Sequence, residues 1–446
     1  MPSKVLKILF VGLLFHLFVL GLLYFLGVPK FVLSLVRFWK EALLFGLLLA
    51  VLVKSKFVRN DRQLNLLDFA VIGLFVIGVV YLLFFSPFAD FLISELNEFR
   101  VYVYLCAIYW IGRSVKLGDE EVQSIFRTFS IAVVLSGVLG VLNKLFFGYG
   151  LIRLADNYYA AFSLSSDFGQ TVTTEDLLNA FYTPYSQIRD LNGSYLSLGN
   201  TLYFANIFFL ASYFYKKEKR DLYLFLVGSF VIILTGARAA TAVFALTSLF
   251  IVAVNFRKPG LSIAILLFFT ASFFAIPGLA EKFSDAMMDT SDLEATAGHI
   301  GGWNNFLDAF SERPFGYGFG VGERSAATFG TAQLIGGESN FSHVVGNLGL
   351  LGGAAWMTIF IVFWVRSMRL TRSSVTREAS IVSFVALYVS IGYFFIALTQ
   401  YLNDNLEASL TLWFLIGWIG VRSFLLTSAT AGEPSPRLEG EGAVAT

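Results

Sequence analysis

Twelve stretches of this chain are apolar over roughly 20 residues, the length an α-helix needs to cross the hydrocarbon of a bilayer. They fall near residues 5–27, 33–53, 68–88, 100–116, 128–147, 196–215, 222–236, 238–255, 261–278, 344–365, 379–400 and 407–426. In hydrocarbon every backbone N–H and C=O must find its partner within the chain, so such segments are limited to helices. The expectation is an all-α polytopic membrane protein with about 12 transmembrane helices. Composition agrees, because 14% charged residues cannot cover a water-soluble fold, in which about 25% is usual. With 32 basic against 31 acidic residues the net charge is +1, which removes bulk attraction to nucleic acid. Cys106 is the only cysteine and lies in an apolar run, so a disulfide framework and a thiolate metal site are excluded. A transporter, a channel and an enzyme acting on a lipid-borne substrate all fit these facts.

Orientation follows from the basic residues. Placing the N-terminus in the cytoplasm puts every basic cluster on the cytoplasmic side: Lys54 to Arg62, Arg113 to Arg127, Lys216 to Arg220, Arg257 with Lys258, and Arg366 to Arg377. Lys4 and Lys7 precede the first span and no small-residue cleavage site follows it, so it reads as a retained helix. Residues 1–426 form one integral membrane domain in this reading, and 427–446 a flexible cytoplasmic tail. Two long outward loops, 148–195 and 279–343, interrupt the short connections. Loops of that length are commonly functional, and these are rich in aromatic residues, with Trp303 to Phe310 spaced as an amphipathic helix.

The outward loops hold only isolated basic residues, such as Arg153, Arg189, Arg238, Lys282, Arg313 and Arg324. Arg238, in Thr235-Gly236-Ala237-Arg238-Ala239-Ala240, has no acidic residue nearby in sequence. It either snorkels to the headgroups as an anchor or holds an anionic headgroup, since guanidinium presents a fork matched to phosphate oxygens. The small residues around it leave room for a ligand. Arg189, followed by Asp190, is a weaker candidate for phosphate or sugar, or one half of a structural ion pair. Arg153 has Asp156 close by and reads as structural, and Arg100 stands beside Glu95 and Glu98 at the outer mouth of the fourth span. Arg37, Lys40 and Glu41 form a further polar group near the second span. His16 reads as packing, whereas His299 and His343 share the second long loop with Glu338 and could exchange a proton near neutral pH. Asp285, Asp289, Asp292 and Glu294 show no ordered ligand spacing, and neither a metal nor a cofactor is expected.

Three local patterns and the spacing of the spans resemble the family of O-antigen ligases and O-antigen or exopolysaccharide polymerases, bacterial membrane glycosyltransferases. The turn at Arg238 is similar to that family's Ser/Ala-Arg-Gly/Ala turn at the outer end of a helix. The run His299-x-x-x-Trp303 followed by Pro314-x-Gly316-x-Gly318-x-Gly320 is similar to its Arg-x-x-x-Trp and Pro-x-Gly-x-Gly pattern, with His299 where Arg is usual. The third pattern, a His followed by a small polar residue and, nine residues on, Gly-x-x-Gly, fits Glu338, Ser339 and Gly349 to Gly352 in spacing, with Glu338 in place of the His.

The resemblance implies a GT-C-like fold and transfer of a glycan from undecaprenyl diphosphate, on the periplasmic face of the inner membrane, to an acceptor hydroxyl. It implies that Arg238, Arg189, Arg313 and Arg324 hold the diphosphate. Glu338 or His343 would then be the base, with His299, Trp303 and Tyr317 around the sugar. The expected partners are the lipid-linked oligosaccharide, membrane lipids and a chain-length regulator protein. Glu338 in the position of the His favours a polymerase over a ligase acting on lipid A core or protein. A transporter or flippase for lipid-linked sugars is the rival of another class. It would call for ionisable residues at the bilayer midplane and two halves of matching hydropathy, and neither is evident.

Overall fold

A computed structural model describes residues 2–53, 64–85, 88–147, 194–255, 303–320, 339–373, 376–402 and 405–430, with isolated positions 260, 263 and 267. Among the described residues the chain is all-helical, without a β-strand. The helices are α1 (Pro2–Leu14), α2 (His16–Phe25), α3 (Lys30–Arg37), α4 (Trp39–Val53), α5 (Leu66–Phe84), α6 (Phe88–Ser114), α7 (Asp119–Phe147), α8 (Tyr195–Lys216), α9 (Lys219–Thr235), α10 (Arg238–Phe250), α11 (Asn340–Ser373), α12 (Arg377–Ala397) and α13 (Leu406–Thr430). A short helix also covers residues 303–312.

Four of these helices, α5, α7, α11 and α12, are long and apolar enough to cross a membrane, or five spans if α1 and α2, bent by 64° at Phe15, count as one. Each expected apolar stretch overlaps helical structure except 261–278, of which only positions 263 and 267 are described. Several bounds differ from the expectation: 5–27 is bent at Phe15, α7 begins at Asp119 rather than 128, and α11 runs on to Ser373 rather than ending at 365. The stretch 33–53 is split at Phe38 into the amphipathic α3 and the apolar α4, and the span expected to begin at 100 extends back to Phe88.

Local chemistry explains where several helices start and stop. Asn65 and Asp68 form a capping box on α5. Ser194 and Thr376 cap α8 and α12 through their side-chain oxygens. Gly236 ends α9 in the left-handed conformation, φ 66°.

The central element is α8, buried on all sides from Ser197 to Ser212 and packed against α7, α9, α10 and α12. The tightest crossing is between α6 and α13, where Gly112 faces the Phe414 backbone and Gly417 faces the Tyr109 backbone, so neither position has room for a Cβ.

One end of the bundle collects ion pairs between helix termini. Arg113 meets Asp68, which also accepts from the Tyr109 hydroxyl (2.6 Å). Arg422 and the Thr376 hydroxyl both donate to Asp119 (2.7 and 2.8 Å), Arg127 meets Asp221, and Lys216 meets Glu378 (3.0 Å). Arg113 to Arg127, Lys216 to Arg220 and the described part of Arg366 to Arg377 therefore share one end of the molecule. The glycine run and the arginine turn lie at the other, here termed the mouth end.

Candidate functional site

The mouth is assembled around a break in α11. Gly349 takes φ 62° and ψ −165°, which interrupts the helix. Residues 314–318 lie along the broken turn: Tyr317 N–H donates to Gly346 O (2.9 Å), Gly318 N–H to Asn347 O (3.0 Å), and Leu350 N–H to Pro314 O (3.0 Å). Gly316, Gly318 and Gly320 all have φ between 83° and 89°. A Cβ on Gly316 would strike the backbone of Asn347 and Gly349, and one on Gly349 would strike Phe315. The alternating glycines are thus what allows the loop to thread against the helix. The Tyr81 hydroxyl fixes it further by donating to Phe315 O, and Phe319 is buried between Phe99 and Tyr102.

This threading delivers a backbone donor to a buried carboxylate. Glu98, on α6, accepts from Gly320 N–H (2.9 Å) and from Asn347 Nδ2 (3.1 Å). Glu95, one helical turn earlier, is fully buried, and neither of its oxygens has a hydrogen-bond partner among the described residues. Buried polar atoms are ordinarily satisfied, so Glu95 stands out as a candidate beside Glu98. His343 lies on the same face of α11 as Asn347, four residues away. It is buried and stacks on Tyr401 with ring centroids 4.2 Å apart. Asn340 N–H donates to Gln400 O (3.1 Å), Asn200 Nδ2 to Gln400 Oε1 (3.4 Å), and the Ser197 hydroxyl to Glu407 (3.4 Å). Polar groups from α6, α8, α11 and α13 therefore converge at the mouth.

Arg238 opens α10 at this end and is exposed. Its turn is built by Gly236 and by the Thr235 hydroxyl, which accepts Ala237 N–H (3.2 Å), and it seats on α8 where Gly199 leaves space for Ala237. Asn200 is the next residue on α8, so the arginine turn adjoins the polar nest. Arg313 is exposed, its guanidinium 5.1 Å from the Tyr317 ring centroid. Tyr317 itself is buried and donates to Ala309 O (3.0 Å), which ties the 303–312 helix to the glycine run. Trp303 packs on Phe306 and Phe341. Both aromatic groups are engaged in packing, with Trp303 partly buried.

Glu338, Arg189, Arg324 and His299 lie outside the described residues, as do most of the two long loops. No group of three or more metal-ligating side chains occurs among the described residues. No motif singles out Asn200, Asn347, Gln400 or Glu407. The one sequence signal they carry is an amide or carboxylate placed next to, or inside, an apolar run, where a buried partner is required. No family model matches the chain, and no curated protein matches it.

Proposed function

We propose that the protein is a polysaccharide polymerase, which transfers a glycan from undecaprenyl diphosphate to the non-reducing end of a second lipid-linked repeat unit. The observation that carries this reading is that the exposed arginine turn seats on Gly199 of α8, beside Asn200, which meets Gln400 and through it Asn340 at the start of the helix that carries His343. Diphosphate leaves readily when fixed cations neutralise its developing charge, and Arg238 supplies one, with Arg189, Arg313 and Arg324 as further members of the clamp. The acceptor hydroxyl loses its proton to Glu338 or His343 as its oxygen bonds to the anomeric carbon and the diphosphate departs with the electron pair. In this reading the chain has twelve spans in a bacterial inner membrane. Both termini are cytoplasmic and the loops 148–195 and 279–343 periplasmic, and no metal takes part.

Purified protein reconstituted with a defined undecaprenyl-diphosphate repeat unit tests the proposal. A ladder of lengthening lipid-linked chains is expected. A competent substrate that yields no ladder, or yields one transfer onto lipid A core alone, would overturn it.

A further inference from the structure

A fold in α11 sinks one part of the site into the bundle. Phe341 and Trp356 are 15 positions apart, which in a straight helix is about 22 Å, yet their ring centroids lie 6.5 Å apart. A Cβ on Gly353 would meet the Val345 side chain, and one on Gly352 would meet that of Leu348. The arm 340–348 therefore turns at Gly349 and runs back along the rest of the helix, with Gly352 and Gly353 allowing the close approach. Asn340, its first residue, is carried to the level of Trp356, about 9 Å below the turn.

At that depth a cavity of about 20 Å³ lies between α11, α12 and α13, with Asn340, Trp356, Tyr393, Ser409 and Trp413 in its wall. It admits one water-sized group. Three polar groups of the wall are left as acceptors. The Ser409 hydroxyl has given its proton to Leu402 O (2.8 Å), and the Tyr393 hydroxyl has given its own to Asn200 O (2.9 Å). Asn340 Oδ1 is buried and has no donor among the described residues. Asn200, joined to the wall by Tyr393 and to Asn340 through Gln400, has a second buried amide oxygen in the same condition. Buried acceptors are ordinarily met, so the occupant must donate. An ionised phosphate does not, and neutral amide oxygens among aromatic rings lack the charge that holds a metal ion. A sugar hydroxyl donates, and the C–H faces of its ring suit aromatic walls.

We propose that Asn340 and Asn200 form the subsite for the terminal sugar of the acceptor, with one hydroxyl of that sugar entering the cavity to donate to Asn340 Oδ1 and a second donating to Asn200 Oδ1. Resting on the polymerase reading, this subsite selects the acceptor by its pattern of hydroxyls. Its place suits the role: His343 lies one turn further along the same arm, and the Arg238 turn seats on Gly199 beside Asn200.

The test uses the full-length protein and acceptor repeat units from which the hydroxyls of the terminal sugar, other than the one that reacts, are removed one at a time. Wild type is expected to elongate at least one of these deoxy acceptors with kcat/KM lowered roughly tenfold or more, because a buried acceptor is left unpaired. Asn340→Leu should bring the intact acceptor down to that level and lose nothing further with the same analogue, whereas Asn340→Asp, which keeps the oxygen, should retain the discrimination. Equal rates for every deoxy acceptor with wild type, a result that needs no variant to fold, would overturn the subsite. Losses from Asn340→Leu and from the deoxy acceptor that multiply would overturn it too, since independent effects mean that the cavity holds an ordered water only. Calorimetric binding of the free repeat-unit oligosaccharide separates this inference from the reading it rests on. Binding that Asn340→Leu abolishes, without any glycan ladder, would sink the polymerase reading alone; a ladder indifferent to Asn340→Leu would sink the subsite alone.

Discussion

Glu98 is the residue that ties the mouth together, because it is the only acceptor the described structure gives to Gly320 N–H and to the Asn347 side-chain amide. Replacing it by Ala leaves two buried donors unsatisfied at about 1–3 kcal/mol each. Glu98→Ala is therefore expected to lower the thermal unfolding midpoint in detergent clearly. Glu98→Gln, which keeps an acceptor oxygen, should recover most of the loss; equal midpoints for the two variants would refute the role. The charged candidates were visible in the sequence, since Arg238 and His343 stand out wherever they are placed. Asn347 was not, because its partner is 249 positions away and an amide near an apolar run announces no partner of its own. Asn200 and Gln400, 200 positions apart, were hidden for the same reason.

Individual elements show where hydropathy stops being informative. Hydropathy averaged over 33–53 carries one expected span across Arg37, Lys40 and Glu41, whereas α3 ends at Arg37 with Phe38 at φ −84° and ψ 6°. The polar start of α6 likewise stayed outside the expected span, because Glu95 and Glu98 read as solvent-facing in sequence, whereas both are buried and Glu98 is met by Gly320 and Asn347. The glycine run itself was legible as a tight turn, whereas the helix break that receives it was not. Gly349→Ala tests that junction. A positive φ with ψ −165° is a region essentially reserved for glycine and costs another residue about 1–3 kcal/mol, and the added Cβ meets the Phe315 backbone as well. A drop in thermal stability together with loss of transfer activity is expected, and a variant with the stability of wild type would show that the break tolerates a side chain. At the opposite end, Arg113→Met strands Asp68, which is fully buried. Breaking such a pair costs about 3–5 kcal/mol, so a sharp fall in monodisperse protein on size exclusion is expected. Restoration by Asp68→Asn in the same chain would identify the stranded charge as the cause.

Across the whole molecule the two ends differ in what their charges do. Among the described residues, arginines and lysines at the end that carries the basic clusters are matched by Asp68, Asp119, Asp221 and Glu378; at the mouth, Glu98 is met by a backbone N–H and an amide, and Glu95 by no hydrogen-bond donor. The grouping of basic residues was readable from sequence because it needs only helix direction. The contents of the mouth were not, because they depend on which helices meet. The proposed orientation can be checked with single cysteines in a Cys106→Ala background. A membrane-impermeant maleimide applied to spheroplasts should label Ser311→Cys and spare Ser373→Cys, and the reverse pattern would invert the topology.

The most direct measurement of the central claim compares chain-length ladders made from a defined undecaprenyl-diphosphate repeat unit by purified wild type, Arg238→Ala and Arg220→Ala. Arg220 is exposed at the opposite end and serves as the control. The expected result is an unchanged ladder for Arg220→Ala and a fall of roughly 100-fold or more for Arg238→Ala, the scale seen when a fixed stabilising charge or donor is lost. A wild-type ladder from folded Arg238→Ala would contradict the placement of the diphosphate at the mouth.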